Sequence, residues 1–253
     1  MWRALAGLLV LLVAAPAWAE PRLLMPASMA RLSAALEKAY HEAHPDEELT
    51  IIVGATSLLA RQVEQGIDAH VIITANQQWM DYLGHRALID PASRRAYLEN
   101  SLVVVTPSNN REDAFDFMAL AQHVNAKRLL ALCGPGPVPC GTYARDALVK
   151  AGLWDRLEPH IVYGQDAAAV RHWVERGSVA YAILYKSDLA DNIRVRGLAI
   201  VPNAFTGRVI YEIAAIAGRP PRVRQRVLDF LASPAAAAII EAGGFLMKTS
   251  GLP

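Results

Sequence analysis

Short apolar runs rich in β-branched residues alternate with stretches whose apolar side chains recur every three or four positions, from Arg22 nearly to the C-terminus. An unbroken apolar run suits a strand covered on both faces, and a stripe suits a helix packed on one side. Strands are predicted at 22–25, 49–53, 69–73, 101–105, 128–132, 161–163, 180–184, 198–201 and 210–216. Helices are predicted at 28–44, 57–64, 77–83, 142–151, 166–176, 223–231 and 234–241. Such alternation restricts the chain to an α/β fold with helices covering mostly parallel sheets. With 253 residues the chain makes one large domain or two small ones. No solenoid-length repeat or low-complexity linker interrupts it, and two lobes result if the strand near Val103 passes from one sheet to the next.

The first nineteen residues stand outside this pattern. Arg3 precedes the apolar run Ala4 to Ala15, Pro16 breaks it, and Ala17-Trp18-Ala19 is a small-x-small cleavage site. This is the plan of a secretory signal peptide cut after Ala19. A membrane span needs roughly 20 apolar residues, which neither this run nor the Ala235 to Ile240 segment supplies. The expectation is an exported, soluble mature chain. Beyond Ala19 the formal charges are 24 of each sign, because Arg3 is the only charge before it. A neutral chain without a basic cluster is a poor nucleic-acid binder.

Export permits disulfides. The two cysteines, Cys133 and Cys140, flank a segment of glycines and prolines. They fit either a bridge closing a short loop or two separate thiols, Cys133 at a strand end and Cys140 in a loop. The spacing is no zinc signature without a second pair nearby.

Four strand-to-helix junctions carry small, hydroxyl or glycine residues: Pro26-Ala27-Ser28, Gly54-Ala55-Thr56-Ser57, Pro139-Cys140-Gly141-Thr142 and Gly164-Gln165-Asp166-Ala167. A helix N-terminus offers unpaired N–H groups and about half a positive charge. Several such ends converging on one cleft hold an oxyanion without a cationic side chain, whereas singly they read as ordinary N-caps. Tyr185, after the apolar strand 181–184, fits either the core or a cleft. Enzymatic readings lack support. There is no Gly-x-Ser-x-Gly elbow and no phosphate-cradling loop, and none of the seven histidines lies in the four junctions. His41-Glu42-Ala43-His44 is one residue short of zinc-protease spacing.

Ordered segments across the chain nevertheless match one family. They are Ser57-Leu58-Leu59-Ala60-Arg61-Gln62-Val63-Glu64-Gln65-Gly66, Asn76 to Tyr82, Asn100 to Val105, Val138 to Ala144 and Leu184 to Asp188. In these the chain resembles the periplasmic molybdate-binding proteins, the solute receptors of molybdate ABC importers, from about Arg22 to Lys248. The resemblance implies a bilobed type II periplasmic-binding-protein fold, two mixed sheets flanked by helices with a hinge between lobes. It implies lobe I from residues 20–102 and 203–253, and lobe II from 103–202.

The resemblance also implies a ligand set. Ser28 and Thr56 supply hydroxyls, Cys140 and Ala167 supply backbone N–H groups, and Tyr185 supplies its phenol. Thr56 stands where the family usually has serine and adds a methyl to the pocket wall. Cys140 stands where a small residue is usual, and His70 stands, near the lobe surface, where an aspartate is usual. Molybdenum enters only as molybdate through these residues, and no cofactor is implied. The implied partners are molybdate, with tungstate as its equivalent, and a membrane permease; the receptor itself is expected to be a monomer, and no enzyme. A fully deprotonated dianion suits donors alone, and charge-assisted bonds balance it. The alternatives are a receptor of the same fold for a sulfate-like anion or iron, and an exported hydrolase.

Overall fold

The computed structural model describes residues 20–134, 138–190 and 193–248. The signal segment predicted at 1–19 lies outside the described residues.

Elements follow the chain as β1 (Arg22–Pro26), α1 (Ser33–Ala43), β2 (Thr50–Gly54), α2 (Thr56–Glu64), β3 (Val71–Thr74), α3 (Gln77–His85), β4 (Arg95–Asn100) and β5 (Leu102–Pro107). Next come α4 (Leu120–His123), β6 (Leu130–Cys133), α5 (Pro139–Lys150), α6 (Trp154–Leu157), β7 (Ile161–Gly164), α7 (Ala167–Glu175), β8 (Tyr181–Tyr185) and β9 (Val195–Ile200). The last are α8 (Asn203–Thr206), β10 (Val209–Ala215), α9 (Pro221–Leu231), α10 (Pro234–Ala242) and β11 (Leu246–Met247).

The strands form two sheets, ordered β11-β4-β10-β3-β1-β2 and β7-β6-β8-β5-β9. The sheets are mixed, not mostly parallel as the alternation alone predicts. In the first, β2, β1 and β3 run parallel, while β10, β4 and β11 join antiparallel. In the second, β7, β6 and β8 run parallel, and β5 and β9 join antiparallel. Apart from the C-terminal β11, the antiparallel strands are those around the two crossings between sheets. The chain leaves the first sheet between Asn100 and Leu102 and returns between Ile200 and Val209. β4 escapes sequence prediction because Arg95 and Glu99 break its apolar pattern.

Side-chain alternation explains why the first sheet is covered on both faces. Leu23, Met25, Val71 and Ile73 enter a core that continues into the second sheet. Leu24 and Ile72 point the other way, toward Leu59 of α2 and Trp79, Met80 and Leu83 of α3. The helix predicted at 28–44 begins instead as a 3-10 turn, Ala27–Leu32, before α1. His70 is buried rather than near the surface, and its Nδ1 accepts from the Arg22 N–H at 3.1 Å.

Candidate anion site

Parallel strands β1, β2, β6 and β7 each end at a junction with a helix, so their carboxyl ends gather the four polar turns. Open α/β sheets commonly place ligands there. The structure brings all five expected residues, Ser28, Thr56, Cys140, Ala167 and Tyr185, to one cavity whose wall also includes Pro26, Ala55, Val138 and Asp166. First-sheet junctions supply one side and second-sheet elements the other. The space a water centre can occupy is about 20 Å³, against roughly 10–15 Å³ for one water. No lysine or arginine lines it among the described residues. A roomier groove, lined by Arg31, Arg171, Glu175, Asp188 and Arg194, shares no lining residue with this cavity.

Each wall group has a local cause. Thr56 opens α2, and its Oγ1 accepts from the Ala75 N–H at 3.3 Å, so its own proton is available to donate. Cys140 lies in the first turn of α5, not in a loop, because the helix starts at Pro139, three residues before the predicted boundary. Proline suits a helix's first position, where its missing N–H has no intrahelical acceptor to lose. Ala167 opens α7, whose N-cap Asp166 accepts from the Ala169 N–H at 2.9 Å. First-turn N–H groups have no acceptor within their own helix, so those of Cys140 and Ala167 are donors for whatever occupies the cavity.

The two cysteines form a disulfide, with Cα atoms 5.7 Å apart. It ties the end of β6 to the first turn of α5. Gly141 permits the close approach: a Cβ there would lie 2.5 Å from the Cys133 carbonyl oxygen.

Tyr185 ends β8 and is 1% exposed. Its hydroxyl is buried with no hydrogen-bond partner among the described residues, although the ring of Tyr211 lies edge-on with centroids 5.8 Å apart. Burial foremost holds this phenol well above its ordinary titration range, so it stays a neutral O–H donor. Ser28 Oγ lies 2.9 Å from the Tyr211 hydroxyl. Behind Tyr185, the fully buried Asp188 accepts its backbone N–H at 3.2 Å. Burial pushes that carboxyl up to about 7, partly opposed by Arg171. Sequence reading missed Tyr211, because a tyrosine inside the apolar strand β10 carries no junction signal.

Comparison with known proteins follows the same direction. The family model for bacterial extracellular solute-binding proteins matches residues 21–246. Molybdate-binding protein ModA of Escherichia coli is 36% identical over 197 residues, which are 77% of this chain and 76% of that one. ModA of Haemophilus influenzae is 29% identical over 224 residues, 88% of each chain. Among solved structures, the periplasmic molybdate-binding protein of Azotobacter vinelandii superposes with a TM-score of 0.80 at 16% identity, covering 91% of this chain and 100% of that one. The sulfate-binding protein SubI of Mycobacterium tuberculosis superposes with a TM-score of 0.78 at 13% identity, covering 92% and 88%. At those identities the two structures bear on fold alone.

Proposed function

This chain belongs to the bacterial extracellular solute-binding proteins, and we propose that it binds molybdate between its two sheets and delivers it to the permease of an ABC importer. The observation that carries this reading is the Tyr185 hydroxyl, which is buried, has no hydrogen-bond partner among the described residues, and lines a compact cavity that no described lysine or arginine enters. A donor so placed is costly unless a ligand accepts from it. In this reading Ser28, Thr56 and Tyr185 donate through hydroxyls, and Cys140 and Ala167 through backbone N–H groups. The helix N-termini of α2, α5 and α7 add favourable potential for a dianion. Molybdate is cargo, and the molybdenum needs no direct protein ligand.

Residues 20–102 and 203–253 act as one lobe and 103–202 as the other, hinged at the two crossings, with closure around the anion. The protein works in the periplasm as a monomer, after cleavage following Ala19. Donor count does not separate molybdate from tungstate or sulfate; size does, because the smaller sulfate leaves donors short of contact.

Calorimetric titration of the mature chain tests this. Molybdate and tungstate are expected to bind with micromolar or tighter Kd and sulfate much more weakly. Molybdate at a hundredfold excess over Kd adds about 2.7 kcal/mol of stability. A preference for sulfate, or no binding of molybdate, overturns the proposal.

A further inference from the structure

Three helices bring their N-termini to the cavity, and one of them is capped differently. α2 follows Ala55 and α5 follows Val138, and neither N-cap residue makes a side-chain hydrogen bond. α7 follows Asp166, whose Oδ1 accepts from the Ala169 N–H at 2.9 Å. Asp166 also lines the cavity, where it is the one acidic or basic side chain among the described residues. The cap itself does not require the charge. It needs an accepting oxygen, and asparagine or serine serves there as well as aspartate. The carboxylate has a second effect. The positive potential of a helix N-terminus favours a negative group placed at it, and that same potential is what α7 offers an anion at the Ala167 N–H. Asp166 and Ala167 are chain neighbours, with Cα atoms about 3.8 Å apart. The carboxylate and a bound anion therefore draw on one helix end and repel each other.

We propose that Asp166 is a specificity-determining residue: its carboxylate opposes a bound anion in proportion to that anion's charge, so the site favours doubly over singly charged tetrahedral anions by less than a neutral cap would. The inference rests on the oxyanion reading of the cavity. Coulomb energy is linear in the ligand's charge, so a dianion is opposed about twice as strongly as a monoanion of the same size.

Calorimetry on the mature chain tests this with wild type, Asp166→Asn and Asp166→Ser, which keep an accepting oxygen and remove the charge. Each is titrated with molybdate and with perrhenate, a tetrahedral monoanion of similar size that also carries no proton. Both variants are expected to tighten molybdate about tenfold and perrhenate only about threefold. Their ligand-free melting temperatures should be unchanged or slightly lower, since the helix end loses a favourable charge. Affinity and stability then move apart, which a purely structural cap does not produce. Unchanged or weaker molybdate binding in either variant overturns the inference, as does an equal gain for the two anions. If one variant does not fold, the other decides; if perrhenate binds too weakly to titrate, the molybdate change decides alone. Wild type without molybdate affinity is a separate result, seen before any variant, and removes the functional reading together with the inference.

Discussion

A buried hydroxyl without an acceptor costs about 1–3 kcal/mol, and Tyr185 carries that cost in the folded chain. Tyr185→Phe is therefore expected to leave the ligand-free melting temperature unchanged or higher. The same substitution should weaken molybdate by about tenfold or more, since bonds to charged groups are the stronger kind. Paired melts and titrations check both halves, and a parallel loss of stability and affinity contradicts the role given to the phenol. Asp188 predicts a pH dependence. Its carboxyl titrates near 7 in the fold against 3.8 as its ordinary value, because burial disfavours the charge more than Arg171 restores it. Between those values the unfolded chain releases a proton that the folded chain keeps. Asp188 therefore supports stability below about pH 4 and withdraws it as the pH rises toward 7. Denaturant midpoints across that range should fall less with rising pH in Asp188→Asn than in wild type.

At the scale of elements, the first turn of α5 depends on its tether. The Cys133–Cys140 bridge holds that turn against the end of β6, where Cys140 lines the cavity. Replacing both cysteines by serine should cost roughly 2–3 kcal/mol for so short a loop. It should also weaken molybdate binding, because the α5 N–H groups lose their fixed direction. Chemical denaturation and titration of the double variant measure the two effects, and unchanged affinity would show that the helix holds its position without the bridge. Most such elements were legible beforehand. Val71–Thr74 and Leu102–Pro107 announce themselves as apolar runs, and α2 and α7 as stripes after small polar turns. Arg95–Asn100 did not, because its two charges hide a strand whose register is set by β10 and β11. α5 starts three residues before its apolar stripe suggests, since Pro139 reads as loop punctuation until its place at the helix's first position is seen.

For the whole molecule, Arg31 is the side chain that most visibly joins the two sheets' territories. Its guanidinium donates to the carbonyl oxygens of Ser187 and Ala190, beyond β8, and of Gly243, after α10. Carbonyls from both sides held by one cation favour the arrangement in which the cavity is closed. Arg31→Met retains much of the stem's length and removes these bonds. It should raise the molybdate Kd about tenfold or more, mainly through faster release, as loosening of a closed state does. Stopped-flow release rates compared with equilibrium titration test this; an altered association rate with unchanged release would place Arg31 outside closure.

By itself the sequence determined the α/β class, because periodicity and local turn chemistry are written in neighbouring residues, and it carried the family through the resemblance of its ordered segments. It also supplied the five residues that line the cavity, but only through resemblance. Their convergence depends on which strands pair, and pairing is set by contacts between residues far apart in the chain. Tertiary structure alone decided the disulfide and the burial of His70. It alone brought the Tyr211 hydroxyl within 2.9 Å of Ser28, a residue 183 positions away in the chain.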